Sequence, residues 1–498
     1  MELKRQLGLF TAVCVIVGDM IGTGIFATTG FALADVGSAA LVLGLWIVGG
    51  LVAIAGALSY AELSSIWPEV GGEYVYLKNI FGKLPAFMTG WVSLFVGFSA
   101  AVAASSLVMT GYLAEFLRNI LGPEAGAVKL FSDPAFQTGY LAEFLRNILG
   151  PEAGVVKLFL DPAFQKVFAI AVILFFSMLH IAGVRRGTIA QNLLTVVKAV
   201  IVLALLVGGL MASGLVNLER LGGGFDASEG GMLGGLAWMM HATAPAPDFP
   251  RVALTLLIVM FAYSGWNAAT YVAGEIREPA KNLPKALFWS VFGTMLVYVL
   301  LNVVYLIAVP AETLAGQREV GAIAAGALFG KEVGSLFSLG IAVILLSAVS
   351  AQMFIGPRVS WAMAKDRMLF AKLGTLHPKF ETPHLAVILQ AVIAIVYIVL
   401  GTAEQLMMYM GFALSVFPLL SVVGLIWLRI TRPELPRPWK VPFYPLFPVL
   451  YIVLTVVMMI ASLMAWTNTS LTALAVLAAS VPVYYGWRHL VRRGADKT

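Results

Sequence analysis

The chain has 498 residues, 60% of them hydrophobic and 12% charged, with a net charge of +6 and a mean hydropathy of +0.92. Soluble globular chains average about 45–50% apolar and about 25% charged residues, and one core of this length could not hide so much apolar surface. The composition excludes a soluble enzyme, a disordered chain and a nucleic-acid binder. Long apolar runs, rather than short alternating strands, also exclude a barrel.

In chain order, apolar stretches of roughly 20 residues, enough to cross a bilayer, fall at 8–34, 39–66, 85–110, 167–183, 189–213, 252–275, 286–309, 335–356, 385–401, 405–428, 445–466 and 469–487. The pattern predicts an all-α polytopic membrane protein with about twelve transmembrane helices. The first stretch follows Lys4 and Arg5 and continues without a small-residue cleavage site, so it reads as a span and not a signal peptide. Cys14, the single cysteine, lies inside it and leaves no intrachain disulfide. When the spans alternate, most of the Lys and Arg residues gather on one side, among them Lys4, Arg5, Arg185, Arg186, Arg358, Lys365 and Arg429. By the positive-inside pattern this predicts a multi-pass protein of the cytoplasmic membrane with both termini in the cytoplasm.

The loop between the third and fourth spans contains a near-exact tandem repeat. Residues 110–137 recur at 138–165, differing only at Ala127/Val155 and Ser132/Leu160. Each copy predicts a short amphipathic helix, the first with Leu113, Phe116, Leu117 and Ile120 on one face and Gly122-Pro123 as its stop. Two copies do not make a solenoid, and an external loop tolerates such an insertion at little cost.

Catalytic patterns are missing from the sequence: there is no HExxH, no GxSxG in a strand–turn–helix setting and no Walker lysine loop. His180, His241, His377, His384 and His489 are scattered without metal-ligand spacing, so the reading is no enzyme, no metal and no cofactor.

The strongest signal lies in the first span, Gly18-Asp19-Met20-Ile21-Gly22-Thr23-Gly24-Ile25-Phe26. Each glycine weakens a helix by about 1 kcal/mol relative to alanine. Lipid cannot satisfy freed backbone groups, so an unwound stretch here must line a cavity. Its exposed N–H groups suit a carboxylate. The alternative is close helix packing through Gly18 and Gly22. The sixth span supplies a counterpart in Phe261-Ala262-Tyr263-Ser264-Gly265-Trp266-Asn267, where freed carbonyls would accept from an ammonium group beside aromatic rings. Interruptions at corresponding positions of two five-span halves mark a transporter's binding site, and a zwitterion fits this one.

Lys198 stands 13 residues past Arg185, about 20 Å along a helix, too deep to snorkel to the interface. It predicts either a coupling or gating group or a structural tie to carbonyls of the broken first helix. Asp19 lies in the first break, and similar depth makes Lys198 its expected partner, as a static pair or a proton relay, with a cation ligand as a third reading. Glu62 and Glu275 lie near the cytoplasmic ends of spans two and six, Glu275 being expected to cap its helix or to pair with nearby Arg277 and Lys281.

These residues resemble the amino acid–polyamine–organocation family of permeases. The matching pieces are GDMIGTGIF, Tyr60-Ala61-Glu62-Leu63 with Gly71-Gly72-Glu73-Tyr74, FAYSGWN with GEIREPAKNLPKAL, RVSWAMAKDRMLF at 358–370 and RPELPRPWKVPFYP at 432–445. Within that family the chain looks most like bacterial relatives of the L-type amino acid transporters. The resemblance implies a LeuT-type fold: a first five-helix repeat over 7–213 carrying the 110–165 loop, a second over 252–428, and two extra helices over 445–487. It implies that the substrate carboxylate meets backbone at Ile21, Gly22, Thr23 and Gly24. Its ammonium would meet Phe261, Ala262, Tyr263, Ser264, Gly265 and Asn267, with Phe261 or Tyr263 as an aromatic gate. Lys198 would stand in for sodium, facing Ser347 and Ser350. Asp19 departs from the small or amide side chain usual in the family. No cysteine is placed to link a disulfide-bound ancillary subunit.

The resulting expectation is a sodium-independent secondary transporter of neutral amino acids working by alternating access, as an exchanger or a proton-coupled symporter. A cationic amino acid or polyamine transporter is the alternative, and a non-transporting amino acid sensor is the alternative of a different class. Its partners are the amino acid, the lipid bilayer and, for a symporter, protons; no nucleic acid is involved.

Overall fold

The computed structural model describes residues 3–121, 159–216, 248–401 and 403–495. Among these the regular elements are all helical, and one bridge of extended backbone joins Leu7 to Ile276. The expected first span is two helices, α1 (Leu9–Met20) and α2 (Gly24–Val36), followed by α3 (Ala39–Ile66). Gly37 ends α2 in the left-handed conformation at φ 63°, and Ser38 then starts α3 by accepting from the amide of Leu41 at 3.3 Å. After the short α4 (Glu73–Phe81) come α5 (Lys83–Val92), a π-helical stretch over Ser93–Ala100 and α6 (Ala101–Leu121). The wider π turn falls where the rod faces a cavity.

The next helices are α7 (Pro162–Ile181), α8 (Val184–Val216) and α9 (Phe249–Ala262). Asp161 caps α7 by accepting from Ala163 N at 2.7 Å, and Asp248 caps α9 by accepting from Arg251 N at 3.1 Å. The chain then turns into a 3₁₀ segment, Ala268–Glu275, before α10 (Pro279–Ala308), α11 (Ala311–Leu314), α12 (Val320–Phe329) and α13 (Lys331–Lys365). The remaining helices are α14 (His384–Leu400), α15 (Ala403–Thr431), α16 (Leu446–Ala465) and α17 (Thr467–Ala495).

Ten stretches among the described residues are long and apolar enough to cross a membrane. Of the expected spans, the sixth and ninth are shorter, because α9 stops at its break after 14 residues and α14 has 17. The tandem repeat lies largely outside the described residues. Its first twelve positions are not a separate amphipathic helix but the end of α6, which runs unbroken from the third span to Leu121.

The bundle packs α6 along α13 and α10 along α3, with α1 held by α8, α10 and α13. Outward faces are apolar: Phe175 and Met178 on α7 and Leu193 and Val200 on α8 are exposed, the face that a bilayer covers. Inside, three rings cluster around the second break. Trp46 lies 5.3 Å from Tyr298 and 5.8 Å from Tyr263, and Tyr263 lies 5.1 Å from Tyr298.

Buried ion pairs tie helix ends together at the end of the bundle that carries the N-terminus. Glu62, at the end of α3, meets Arg429 Nε at 2.9 Å and Arg437 Nε at 3.4 Å and also accepts from Val441 N at 2.8 Å. Glu275 pairs with Arg358, 2.9 Å from its Nε, and not with Arg277 or Lys281 as sequence proximity suggested. The reason is direction: Glu275 is buried toward α13, while Lys281 is exposed and turned to Glu278. The main-chain oxygen of Glu275 accepts from Gln6 N and Leu7 N, both at 2.9 Å, which fixes the start of the chain against the 3₁₀ segment.

Removing one member of a buried pair strands the other charge, at a cost of about 3–5 kcal/mol. Arg358→Met is expected to lower the melting temperature in detergent sharply. Combining it with Glu275→Leu, which removes the stranded carboxylate, is expected to recover most of that loss.

Candidate functional site

Both breaks form as real interruptions of the helices, and they touch. A Cβ added at Gly24 would lie 2.6 Å from the Cα and Cβ of Ala262, so only glycine lets the start of α2 meet the end of α9. Gly265 turns the second break with φ +89°, and a Cβ there would lie 2.8 Å from the Asp19 carboxylate. The two breaks are therefore one structural unit.

Freed carbonyls in the first break find partners on neighbouring helices. Lys198 Nζ, fully buried on α8, donates to Gly18 O at 2.7 Å and to Ile21 O at 2.6 Å. The hydroxyl of Tyr298 on α10 lies 2.7 Å from Met20 O and 3.1 Å from Ala262 O, so a single phenol bridges both breaks. The N–H side is different: α2 begins at Gly24 with no side-chain cap, leaving its first amides and their partial positive charge turned to the cavity.

That cavity is lined by Asp19, Gly22, Thr23 and Gly24 from the first break and by Phe261, Ala262, Ser264, Gly265 and Asn267 from the second. Phe98 of the π-helical stretch, Ala101 and Val108 of α6 and Leu414 and Phe417 of α15 give it an apolar wall. Other expected site residues stand elsewhere. Ile21 is buried behind the cavity and contributes only its carbonyl to Lys198. Tyr263 points away, its hydroxyl donating to Trp46 O at 2.8 Å, so Phe261 is the one of the two aromatics at the cavity wall. Ser347 lies 3.4 Å from the Thr195 hydroxyl, and Ser350 lies 3.3 Å from Nε2 of buried His180. Neither serine takes a hydrogen bond from Lys198, whose ammonium is directed at the break instead. Asp19 has the side chain of Gln352 beside it and lies within the field of Lys198, without a direct ion pair.

Sequence reasoning missed Glu73, Gln352 and Tyr298. Glu73 was visible only as a letter in Gly71-Gly72-Glu73-Tyr74, yet it lines the cavity from α4. Asn267 Nδ2 donates to its Oε1 at 2.6 Å and Thr89 Oγ1 to its Oε2 at 3.4 Å. Tyr298 carried no signal, since a tyrosine in an apolar span reads as packing. Among the described residues no group of three or more His, Cys, Asp or Glu could hold a metal ion.

The two glycines of the first break make a paired prediction. No atom lies within 4 Å of a Cβ at Gly22, whereas one at Gly24 collides with Ala262. Gly22→Ala is expected to keep the wild-type melting temperature but to weaken substrate binding by about tenfold or more, because its methyl enters the cavity. Gly24→Ala is expected to lose both stability and binding. Melting curves with and without substrate separate the two.

Similarity to known proteins agrees with this geometry. The amino acid permease family model matches residues 7–481. The large neutral amino acids transporter small subunit 2 of Homo sapiens is 29% identical over 494 residues, covering 98% of this chain and 82% of the relative. The b(0,+)-type amino acid transporter 1 of Mus musculus is 28% identical over 507 residues, covering 100% and 92%. The serine/threonine exchanger SteT of Bacillus subtilis (strain 168) is 27% identical over 489 residues, covering 98% and 97%. Over nearly its whole length, therefore, this chain belongs to the amino acid permease family and moves amino acids across a membrane rather than converting them.

Proposed function

We propose that the cavity carries a neutral amino acid as a zwitterion, with its carboxylate on the amides of Gly22, Thr23 and Gly24 and its ammonium on backbone oxygens around Phe261, Ala262 and Ser264. The observation that carries this reading is the contact of the two breaks at Gly24 and Ala262, which puts uncapped amides and a helix C-terminus on one cavity. The apolar wall from Phe98, Val108, Leu414 and Phe417 suits an uncharged side chain. Phe261 would close over it. Two five-helix halves, 7–213 and 252–428, each opening with a broken helix, would then rock about this site. The positive-inside pattern supports an orientation with both termini in the cytoplasm, in the cytoplasmic membrane.

Transport without sodium follows from Lys198. Its Nζ occupies the carbonyls of Gly18 and Ile21, so a side-chain donor already holds the position where a cation would gather freed oxygens. The only cysteine, Cys14, is buried in α1, which argues against a disulfide-linked companion subunit. A second reading, a cationic amino acid or polyamine, is favoured by one observation: the cavity lining contains Asp19 and Glu73 and no Lys, Arg or His.

Uptake of labelled leucine, serine and arginine into liposomes of the purified protein tests both readings. The expected result is uptake of the neutral substrates into vesicles preloaded with unlabelled amino acid, indifferent to sodium and not competed by arginine or putrescine. Competition by arginine or putrescine, with neutral amino acids without effect, overturns the neutral assignment. Lys198→Ala is expected to fold yet lose transport by about tenfold or more, since two carbonyls of the first break then lack a donor. Unchanged uptake in that variant removes the lysine from the mechanism.

A further inference from the structure

Among the described residues, the other deeply buried carboxylates have a base beside them or within their field. Glu62 has Arg429 and Arg437, Glu275 has Arg358, and Asp19 lies in the field of Lys198. Glu73 is as deeply placed, 4% exposed, and among the described residues no basic side chain reaches it. Its surroundings are polar but neutral. Asn267 of the second break and Thr89 of α5 hydrogen-bond to it, and the phenols of Tyr60 on α3, Tyr271 on the 3₁₀ segment, Tyr76 on α4 itself and Tyr451 on α16 stand around it. Asp19 adds a like charge on the far side of Tyr271.

This matters because Glu73 also lines the substrate cavity. A zwitterion brings equal and opposite charges, both met at the breaks, so it offers Glu73 no counter-charge. Closing the cavity over such a substrate removes water from a lone carboxylate, which is costly unless the group is neutralised. We propose that Glu73 binds a proton when the cavity closes around a neutral amino acid and gives it up when the cavity opens on the other side, making it the proton-carrying group of the transport cycle. The assignment rests on the neutral-substrate reading.

The local geometry suits that step. Oε1 is engaged by Asn267 at 2.6 Å and Oε2 by the longer Thr89 contact at 3.4 Å, and the phenols of Tyr60 and Tyr271, which also hydrogen-bond to the carboxylate, are hydroxyls that can turn to accept from a protonated Glu73 as readily as they donate to the ionised one. The proton comes from water in the cavity, forms the O–H bond at Oε2 and returns to water when it leaves; no other bond changes. The same event reaches the gate. Hydrogen bonds to an ionised acceptor are roughly twice as strong as neutral ones, so protonation weakens the tie between α4 and Asn267 at the end of the second break. Glu73 lies outside the spanning helices, and burial pushes its carboxyl up to about 7, against the pull of its hydrogen-bond donors. Below that pH the group already holds its proton; above it, substrate binding must take one up.

The test measures leucine and serine binding to the purified full chain from pH 5.5 to 8.5, together with internal acidification of empty liposomes, not preloaded with amino acid, during net uptake. For the wild type, affinity is expected to be flat below about pH 7 and to fall about tenfold per pH unit above it, with vesicles acidifying as substrate enters. Glu73→Gln is expected to bind with no pH slope and to move no proton, whatever rate of exchange it retains. Glu73→Asp is expected to keep the slope at a shifted pH. A Glu73→Gln variant with the wild-type slope, or a wild type that accumulates substrate in empty vesicles without acidification, overturns the assignment. If only arginine or lysine binds, the neutral-substrate reading falls separately. The same pH series with arginine then decides: a loss of arginine binding in Glu73→Gln without any pH slope in the wild type makes Glu73 a seat for the substrate's own charge and overturns the proton role.

Discussion

A helix that opens inside a bilayer releases carbonyl and N–H groups where no water can reach them, and each unmet group costs several kcal/mol. The architecture of this permease follows from how that demand is met. In the first break the carbonyls of Gly18 and Ile21 are taken by Lys198, and that of Met20 by Tyr298, which also reaches Ala262 in the second break. The amides at the start of α2 have no side-chain cap, and Gly22, Thr23 and Gly24 beside them line the cavity. The candidate binding site thus lies beside a backbone hydrogen-bonding problem that side chains from α8 and α10 largely solve.

The same logic governs charge. At the end carrying the N-terminus, arginines from α13, α15 and the segment after it meet Glu275 and Glu62, joining elements far apart in the sequence. These pairs make a rigid frame around the short α4 and the 3₁₀ segment. Within that frame sits one carboxylate, Glu73, bound only by neutral donors and joined to the second break through Asn267. Among the described residues the carboxylates of this frame are paired with arginine except Glu73, which lines the cavity. A group that changes its charge during transport needs such surroundings, because a nearby guanidinium would hold it ionised throughout.

Much of the site was legible in the chain because lipid narrows the choices. Three glycines within seven residues of an apolar span have few outcomes other than a break or a tight packing seam, and Gly24 proved to be both. A lysine too deep to snorkel had to find acceptors, and the freed carbonyls of the first break were among the few on offer. Side-chain direction was much less legible. Phe261 and Tyr263 are two residues apart in one break, yet one lines the cavity and the other turns to Trp46. Ser347 and Ser350 share a helix near Lys198 but bond Thr195 and His180. Glu275 passed over nearby Arg277 and Lys281 for Arg358, 83 positions away.

What the sequence determined by itself was the solvent of the fold, the rough limits of most of its apolar stretches, the two points where helices cannot continue, and the depth of Lys198. All of these depend on local composition and on the bilayer's fixed thickness, so a linear reading suffices. Only the tertiary structure decided which groups meet across the breaks: that Tyr298 bridges them, that Gly24 touches Ala262, and that Glu73 enters the cavity while its neighbouring cations are committed elsewhere. Those facts depend on the rotation of each helix about its axis, and that rotation is set by packing among residues hundreds of positions apart.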